Sequence, residues 1–243
     1  MAILSYGQVG WRSASIPSTS SLSANLYAVY KAESNANDSL GLYNGTAYGG
    51  LTYTSGKSGN AFSFNGTNSY ILLPQNSMRF TNSFSVSMWT YTTANQSALK
   101  GLFGDYYYGT SDHGYTFGVT NTNKVQVFAL GTGSVGVGFN STLTLSNNQW
   151  NHIVILWDKV NTTWKLYINN VLSDTYTNAA ASSILYAVGS NRTNIGAINS
   201  SPSGVGSVFN GLIDEVYVYT GVLSPSSVSS LYNSGTGKFY PTF

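Results

Sequence analysis

The chain has no cysteine, which excludes a disulfide frame, a thiolate metal centre and a cysteine nucleophile. Charge is nearly as scarce: Asp, Glu, Lys and Arg make up 7% of the 243 residues, where an ordinary soluble domain carries about a quarter. The net charge of +2 is scattered, with no basic stripe to meet phosphates or anionic lipid. The sequence therefore predicts neither nucleic acid nor a membrane as partner. Only two histidines are present, so a zinc site or a serine triad lacks its material. No segment approaches the length of a membrane span, and "MAILSYGQVGWRSAS" has neither a basic region nor a long apolar run. The expectation is synthesis in a cytoplasm without a secretory signal.

What remains is rich in aromatic, small and polar residues. With 42% hydrophobic and 14% aromatic content, the chain has enough apolar area to offset the entropy of ordering, and it reads as folded. Residues 13–25, "SASIPSTSSLSAN", have no periodicity, so residues 1–25 are expected to form an extended arm, with Trp11 and Arg12 as its assembly contacts. Such arms order on assembly. The domain is drawn over residues 26–243.

From Leu26 onward, about ten short β-prone runs alternate with Gly, Asn and Ser turns, the pattern of an antiparallel sandwich. Phe84, Val86 and Met88 alternate with Ser85 and Ser87, which predicts one buried face. "NHIVILWD" is apolar on both faces and should be a central strand. Near the C-terminus, Ser224 can cap a short helix, Pro225 suits its first position, Val228 and Leu231 face inward, and Gly235 can end it.

The order of these pieces resembles the laminin-G-like jellyroll domains of the concanavalin A-like lectin/glucanase superfamily, from about Leu26 to Asn233. The likeness is carried by "YKAESNANDSLGLYNGT", "GKSGNAFSFNGTNSYILLP", "SFSVSMWTY", "NNQWNHIVILWD", "WKLYINNVL" and above all "FNGLIDEVYVYTGVLSPSSVSSLY". It implies an all-β fold: an antiparallel jellyroll sandwich with the N-terminal arm and one short C-terminal helix. It also implies a structural Ca²⁺ held by Asp214 with main-chain carbonyls near Glu33 and Gly59. The competing account is that Asp214 accepts backbone N–H bonds and needs no ion. By alternation, Asp214 shares a face with Leu212, Val216 and Val218. The resemblance further assigns His152 to packing.

Related glucanases carry a Glu-x-Asp-x-Glu cluster that supplies nucleophile and acid. Glu33 and Glu215 are the only glutamates here, and adjacent Asp214 and Glu215 should point to opposite faces, so glycoside hydrolysis by that route is not expected. The stretch "GDYYYGTSDHGY" offers a different chemistry. Tyr106, Tyr107 and Tyr108, beside Asp105, Asp112 and His113, could stack a sugar ring and bind its hydroxyls, or pack across strands and between subunits.

Taken together, these features predict a non-enzymatic structural or adhesion component of a virion: a capsid decoration, head fibre or tail protein of a tailed bacteriophage. It would dock on virion proteins through its arm and oligomerise in the assembly. The alternative is a carbohydrate-binding, lectin-like module, which could coexist with the first if the virion part adheres to host-surface glycans. A glycan-active enzyme comes third, for want of paired carboxylates.

Overall fold

The computed structural model describes residues 22–107, 113–131, 136–179, 182–186, 193–201 and 204–243. The first half of the chain forms β1 (Leu26–Tyr30), β2 (Thr46–Tyr48), β3 (Thr52–Ser55), β4 (Asn60–Asn65), β5 (Tyr70–Leu72), β6 (Phe84–Tyr91), β7 (Lys100–Tyr107) and β8 (His113–Val119). Next come β9 (Lys124–Leu130), β10 (Gly136–Thr144), β11 (Trp150–Asp158), β12 (Thr163–Ile168), β13 (Val171–Thr177) and β14 (Thr193–Ile195). A small hairpin, β15 (Ile198–Ser201) and β16 (Gly204–Gly206), precedes the long β17 (Asn210–Thr220) and the helix α1 (Pro225–Tyr232).

All of the pairings are antiparallel, and they make two large sheets. The eight-stranded sheet runs β13-β12-β11-β6-β17-β4-β3, with β1 also paired to β17; the seven-stranded sheet runs β10-β9-β8-β7-β14-β5-β2. Their facing sides share one core, drawn from alternate residues such as Val86, Met88, Ile153 and Ile155 on one sheet and Phe103, Phe117, Val125 and Val127 on the other. Trp164 ties them together, its ring meeting Phe84 edge-on at 5.9 Å and Phe117 of the opposite sheet at 6.0 Å. Each such aromatic pair adds about 0.5 to 1.5 kcal/mol beyond the area it buries.

The expectation of a jellyroll sandwich with one short helix is met. Strand β11 is interior, between β6 and β12. The reason for its doubled apolar pattern is also visible: Ile153, Ile155 and Trp157 face the sandwich core, while Val154 and Leu156 pack against Val228 of the helix. The helix starts as predicted, with Ser224 Oγ accepting the Ser227 N–H at 3.1 Å and Pro225 at the first position. It stops two residues earlier than Gly235, because Asn233 takes the left-handed conformation at φ 46°. Asparagine tolerates that region well enough to serve as the cap.

One expectation about β17 is corrected. Glu215 lies at φ 50°, and the register with β6 shifts between Asp214 and Tyr217. This bulge breaks the alternation, so Val216 and Val218 point into the core with Ile213, whereas Asp214 does not share their face. Past the bulge, Tyr217 and Tyr219 cover the outer side of the eight-stranded sheet, where they meet Leu22, Val29 and Leu231. Among the described residues no helix is long and apolar enough to cross a membrane.

Candidate functional site

The outer side of the seven-stranded sheet carries a row of directly opposed residues: Thr46, Leu72, Asn194, Gly104, Thr116 and Phe128, from β2 through β5, β14, β7 and β8 to β9. Because Val125, Val127 and Ala129 turn inward, Gln126 and Phe128 must turn outward, and Thr116 does so between Tyr115 and Phe117. Tyr106 joins them from β7 and meets the Phe128 ring nearly perpendicularly, at 5.3 Å and 86°. The β15–β16 hairpin lies over β7 and β14. Asn194 Nδ2 donates to Asn199 Oδ1 at 2.6 Å, and Asn199 Nδ2 donates to the Tyr106 carbonyl at 2.8 Å, which fixes the hairpin there.

Between hairpin and β9 is a pocket of about 390 Å³, lined by Leu99, Tyr106, Thr116, Gln126, Phe128, Ile198, Asn199 and Ser207. Its size falls in the range of small-molecule sites. Among the described residues no charged side chain lines it. The Thr116 hydroxyl is buried and has no hydrogen-bond partner in the protein, a state that costs about 1 to 3 kcal/mol unless a ligand satisfies it. Gln126 donates through Nε2 to Asn140 Oδ1 at 3.0 Å, so its amide is held in place with the carbonyl oxygen uncommitted. A ring with apolar faces and hydroxyl edges matches this lining.

Of the residues singled out in "GDYYYGTSDHGY", Tyr106 lines the pocket and is 8% exposed. Asp105 turns the other way and is fully buried, accepting from Thr193 Oγ1 at 3.2 Å and from Arg79 Nε at 3.4 Å. It cannot reach a sugar on the outer side. Tyr107 and His113 are opposed in the β7–β8 ladder. Tyr108 and Asp112 lie outside the described residues, as do Trp11 and Arg12.

Asp214 occupies a second polar centre on the far sheet. Its Oδ2 accepts the N–H groups of Lys57 at 2.8 Å and Ser58 at 3.1 Å, and its Oδ1 accepts that of Glu215 at 2.8 Å. Burial pushes its carboxyl up to about 8 and the Glu215 charge adds to this, against the pull of the three N–H bonds. Burial likewise raises Glu215 to about 7, although the Tyr217 hydroxyl donates to it and Lys31 favours its charged form. The Glu215 Oε1 is buried without a hydrogen bond of ordinary length.

Glu33 accepts the Asn60 N–H at 3.3 Å and fits closely over Gly59, where a Cβ would come within 2.1 Å of its Oε1. The Gly59 carbonyl already accepts from the Gly56 N–H at 2.9 Å. Asp214 and Glu33 thus hold the β3–β4 turn from two sides, Asp214 through the Lys57 and Ser58 N–H groups and Glu33 through that of Asn60. Among the described residues no three carboxylates or imidazoles converge on one metal position.

His152 is buried and shares a hydrogen bond of 2.8 Å between its Nε2 and Ser87 Oγ. Burial, with the Lys57 charge adding to it, lowers it to about 3, so it remains a neutral packing group, tilted against Trp89 and stacked with Tyr232.

A laminin-G-type family model, described as "Concanavalin A-like lectin/glucanases superfamily", matches residues 65–229. No curated protein matches the chain. Among solved structures, domain 4 of AbnA, a GH43 extracellular arabinanase from Geobacillus stearothermophilus determined with arabinotriose, is similar at a TM-score of 0.66 and 24% identity; the match covers 88% of this chain and 98% of that one. The binding domain of Paraclostridial Mosquitocidal Protein 1 is similar at 0.69 and 19% identity, over 88% of this chain and 53% of that one. The binding domain of Botulinum neurotoxin DC, in complex with rat synaptotagmin II, is similar at 0.64 and 17% identity, over 86% and 51%. This chain thus spans about half the length of the two toxin domains, and at these identities the likeness is one of fold.

Proposed function

We propose, since this chain belongs to the concanavalin A-like lectin/glucanases superfamily, that it is a non-catalytic glycan-binding module whose ligand occupies the pocket beside the β15–β16 hairpin. The observation that carries this reading is the combination of the perpendicular Tyr106–Phe128 pair with the buried, unpartnered Thr116 hydroxyl. Rings supply the apolar contact, and Thr116 and Gln126 supply orientation. The arabinotriose bound by the arabinanase domain lends support by analogy of fold. Catalysis is not part of the reading, because among the described residues no carboxylate lines the pocket. A structural Ca²⁺ at Glu33, Gly59 and Asp214 belongs to the same proposal as a stabiliser of the far sheet.

A glycan array on the purified protein, repeated with Phe128→Ala, tests this. Binding by the wild type and its loss in a variant of native melting behaviour is the expected result; a wild type that binds no glycan overturns the reading.

A second proposal places the module on a virion of a tailed phage, attached through residues 1–25 and assembled in several copies. A specific feature favours attachment on one side and binding on the other. Leu22, the first of the described residues, packs with Tyr217, Tyr219 and Leu231 on the outer side of the eight-stranded sheet, whereas the pocket opens on the opposite sheet. Deletion of residues 1–25 is expected to abolish incorporation into the particle, and a variant that is still incorporated refutes it.

A further inference from the structure

We propose that a second pocket, at the β2–β5 edge of the same sheet face, is a second glycan subsite, and that the two hold separate parts of one extended, uncharged oligosaccharide. This rests on the reading of the first pocket.

The edge pocket, about 340 Å³, is lined by Asn44, Thr46, Tyr48, Leu72, Leu73, Pro74 and Gln75. Thr46 and Leu72 belong to the row that continues through Asn194 and Gly104 to Thr116, so both pockets open on one side of the sheet. From β2 to β8 there are four strand spacings, a separation of about 19 Å. The hairpin stands between the two openings, fixed by Asn199. A single small sugar cannot fill both; a chain of several residues passing over the hairpin can.

The chemistry of the edge pocket is that of a sugar platform. Tyr48 is 42% exposed, and its ring is held nearly parallel to Tyr70, at 5.0 Å and 8°. Stacking on one face orients the ring and leaves its other surface to a ligand, at little entropic cost to binding. Asn44 is fixed by the bond that its Oδ1 accepts from the Asp38 N–H at 3.1 Å, while its amide nitrogen makes no hydrogen bond among the described residues. That leaves a donor pair beside an aromatic surface, the combination that a hydroxyl-edged ring needs.

The charge class of the ligand follows from the same linings. Among the described residues no Lys, Arg, Asp or Glu lines either pocket. A sialylated, sulfated or uronic-acid chain would bring anionic groups out of water against uncharged amides and rings, with no cation to pair them. Neutral chains meet no such cost.

Calorimetric titration with neutral oligosaccharides of increasing length, and with acidic ones of matched length, tests the proposal on the full chain. The wild type should bind long neutral chains more tightly than short ones, by at least about tenfold, because the second contact is intramolecular once the first is made. In Tyr48→Ala, whose exposed position keeps the fold intact, long and short chains should bind alike. Thr116→Val should weaken binding of both lengths. A length-dependent gain that persists in Tyr48→Ala overturns the second subsite and leaves the first standing. Tighter binding of acidic chains overturns the charge assignment. A wild type that binds no oligosaccharide of any length overturns the first pocket, and this inference with it.

Discussion

Oδ2 of Asp214 accepts the Lys57 N–H at 2.8 Å, joining residues 157 positions apart in the chain. Lys57 is itself held at the C-terminal end, its Nζ 2.6 Å from the Gly235 carbonyl and 4.5 Å above the Trp89 ring. The pair therefore ties the β3–β4 turn to β17 and to the segment after the helix. Asp214→Ala strands three N–H donors and should cost about 1 to 3 kcal/mol in denaturant unfolding, with no change in glycan binding. Melting with Ca²⁺ or with EDTA decides on the ion. A wild-type melting temperature lowered by EDTA, with Asp214→Ala indifferent, establishes Ca²⁺; coincident wild-type curves leave hydrogen bonds alone.

The same centre sets a pH dependence. Asp214 and Glu215 are raised to about 8 and about 7, so in the absence of Ca²⁺ the folded state holds protons that the unfolded chain has released. For acids shifted upward, the stabilisation is full below the unfolded values and is lost as pH rises through the folded ones. The melting temperature in EDTA should therefore fall from about pH 5 towards pH 8, and Asp214→Asn with Glu215→Gln should flatten that slope. A wild-type profile in EDTA that rises over this interval contradicts the assignment.

Asp105 has a structural task. Its carboxylate is fully buried against Arg79, whose guanidinium also lies 5.4 Å from the Tyr186 ring. Removing one member of a buried ion pair leaves the other charge without that partner, at a cost of about 3 to 5 kcal/mol. Asp105→Ala should accordingly unfold at lower denaturant concentration. Asp105→Asn, which keeps the shape, should lose stability while its folded fraction binds glycan as the wild type does.

Alternation and turn chemistry made the sandwich legible: Val86 and Met88 point inward, and Ser224 with Pro225 starts the helix. The bulge was not legible, because Glu215 has no local reason to adopt a left-handed conformation; tertiary pairing with β6 and β4 imposes it. The face assigned to Asp214 was lost with that one residue. The first pocket was hidden for a different reason. Its residues come from three strands and a hairpin, and no contiguous motif contains them, so "GDYYYGTSDHGY" drew attention to Asp105 and away from Thr116. The available cue was Phe128, a large ring on the outward-facing positions of a strand whose Val125 and Val127 already filled the inward ones.

Thr116→Val separates function from folding by the opposite signs of its two effects. Valine nearly matches threonine in shape and replaces a buried hydroxyl that has no partner in the protein. Removing an unsatisfied polar group from such a position relieves its desolvation cost, so the variant should be as stable as the wild type or more so, by up to about 1 to 3 kcal/mol. If the hydroxyl exists to meet a sugar, the same change must weaken binding, since the ligand would then bury its own polar group against a methyl. Natural chains keep a locally unfavourable group where function needs it. Calorimetric melting and glycan titration on the same preparation check both halves. Higher stability with weaker binding is the expected pair, whereas a variant that melts lower and binds equally well would make Thr116 an ordinary packing residue and remove the main support for this pocket.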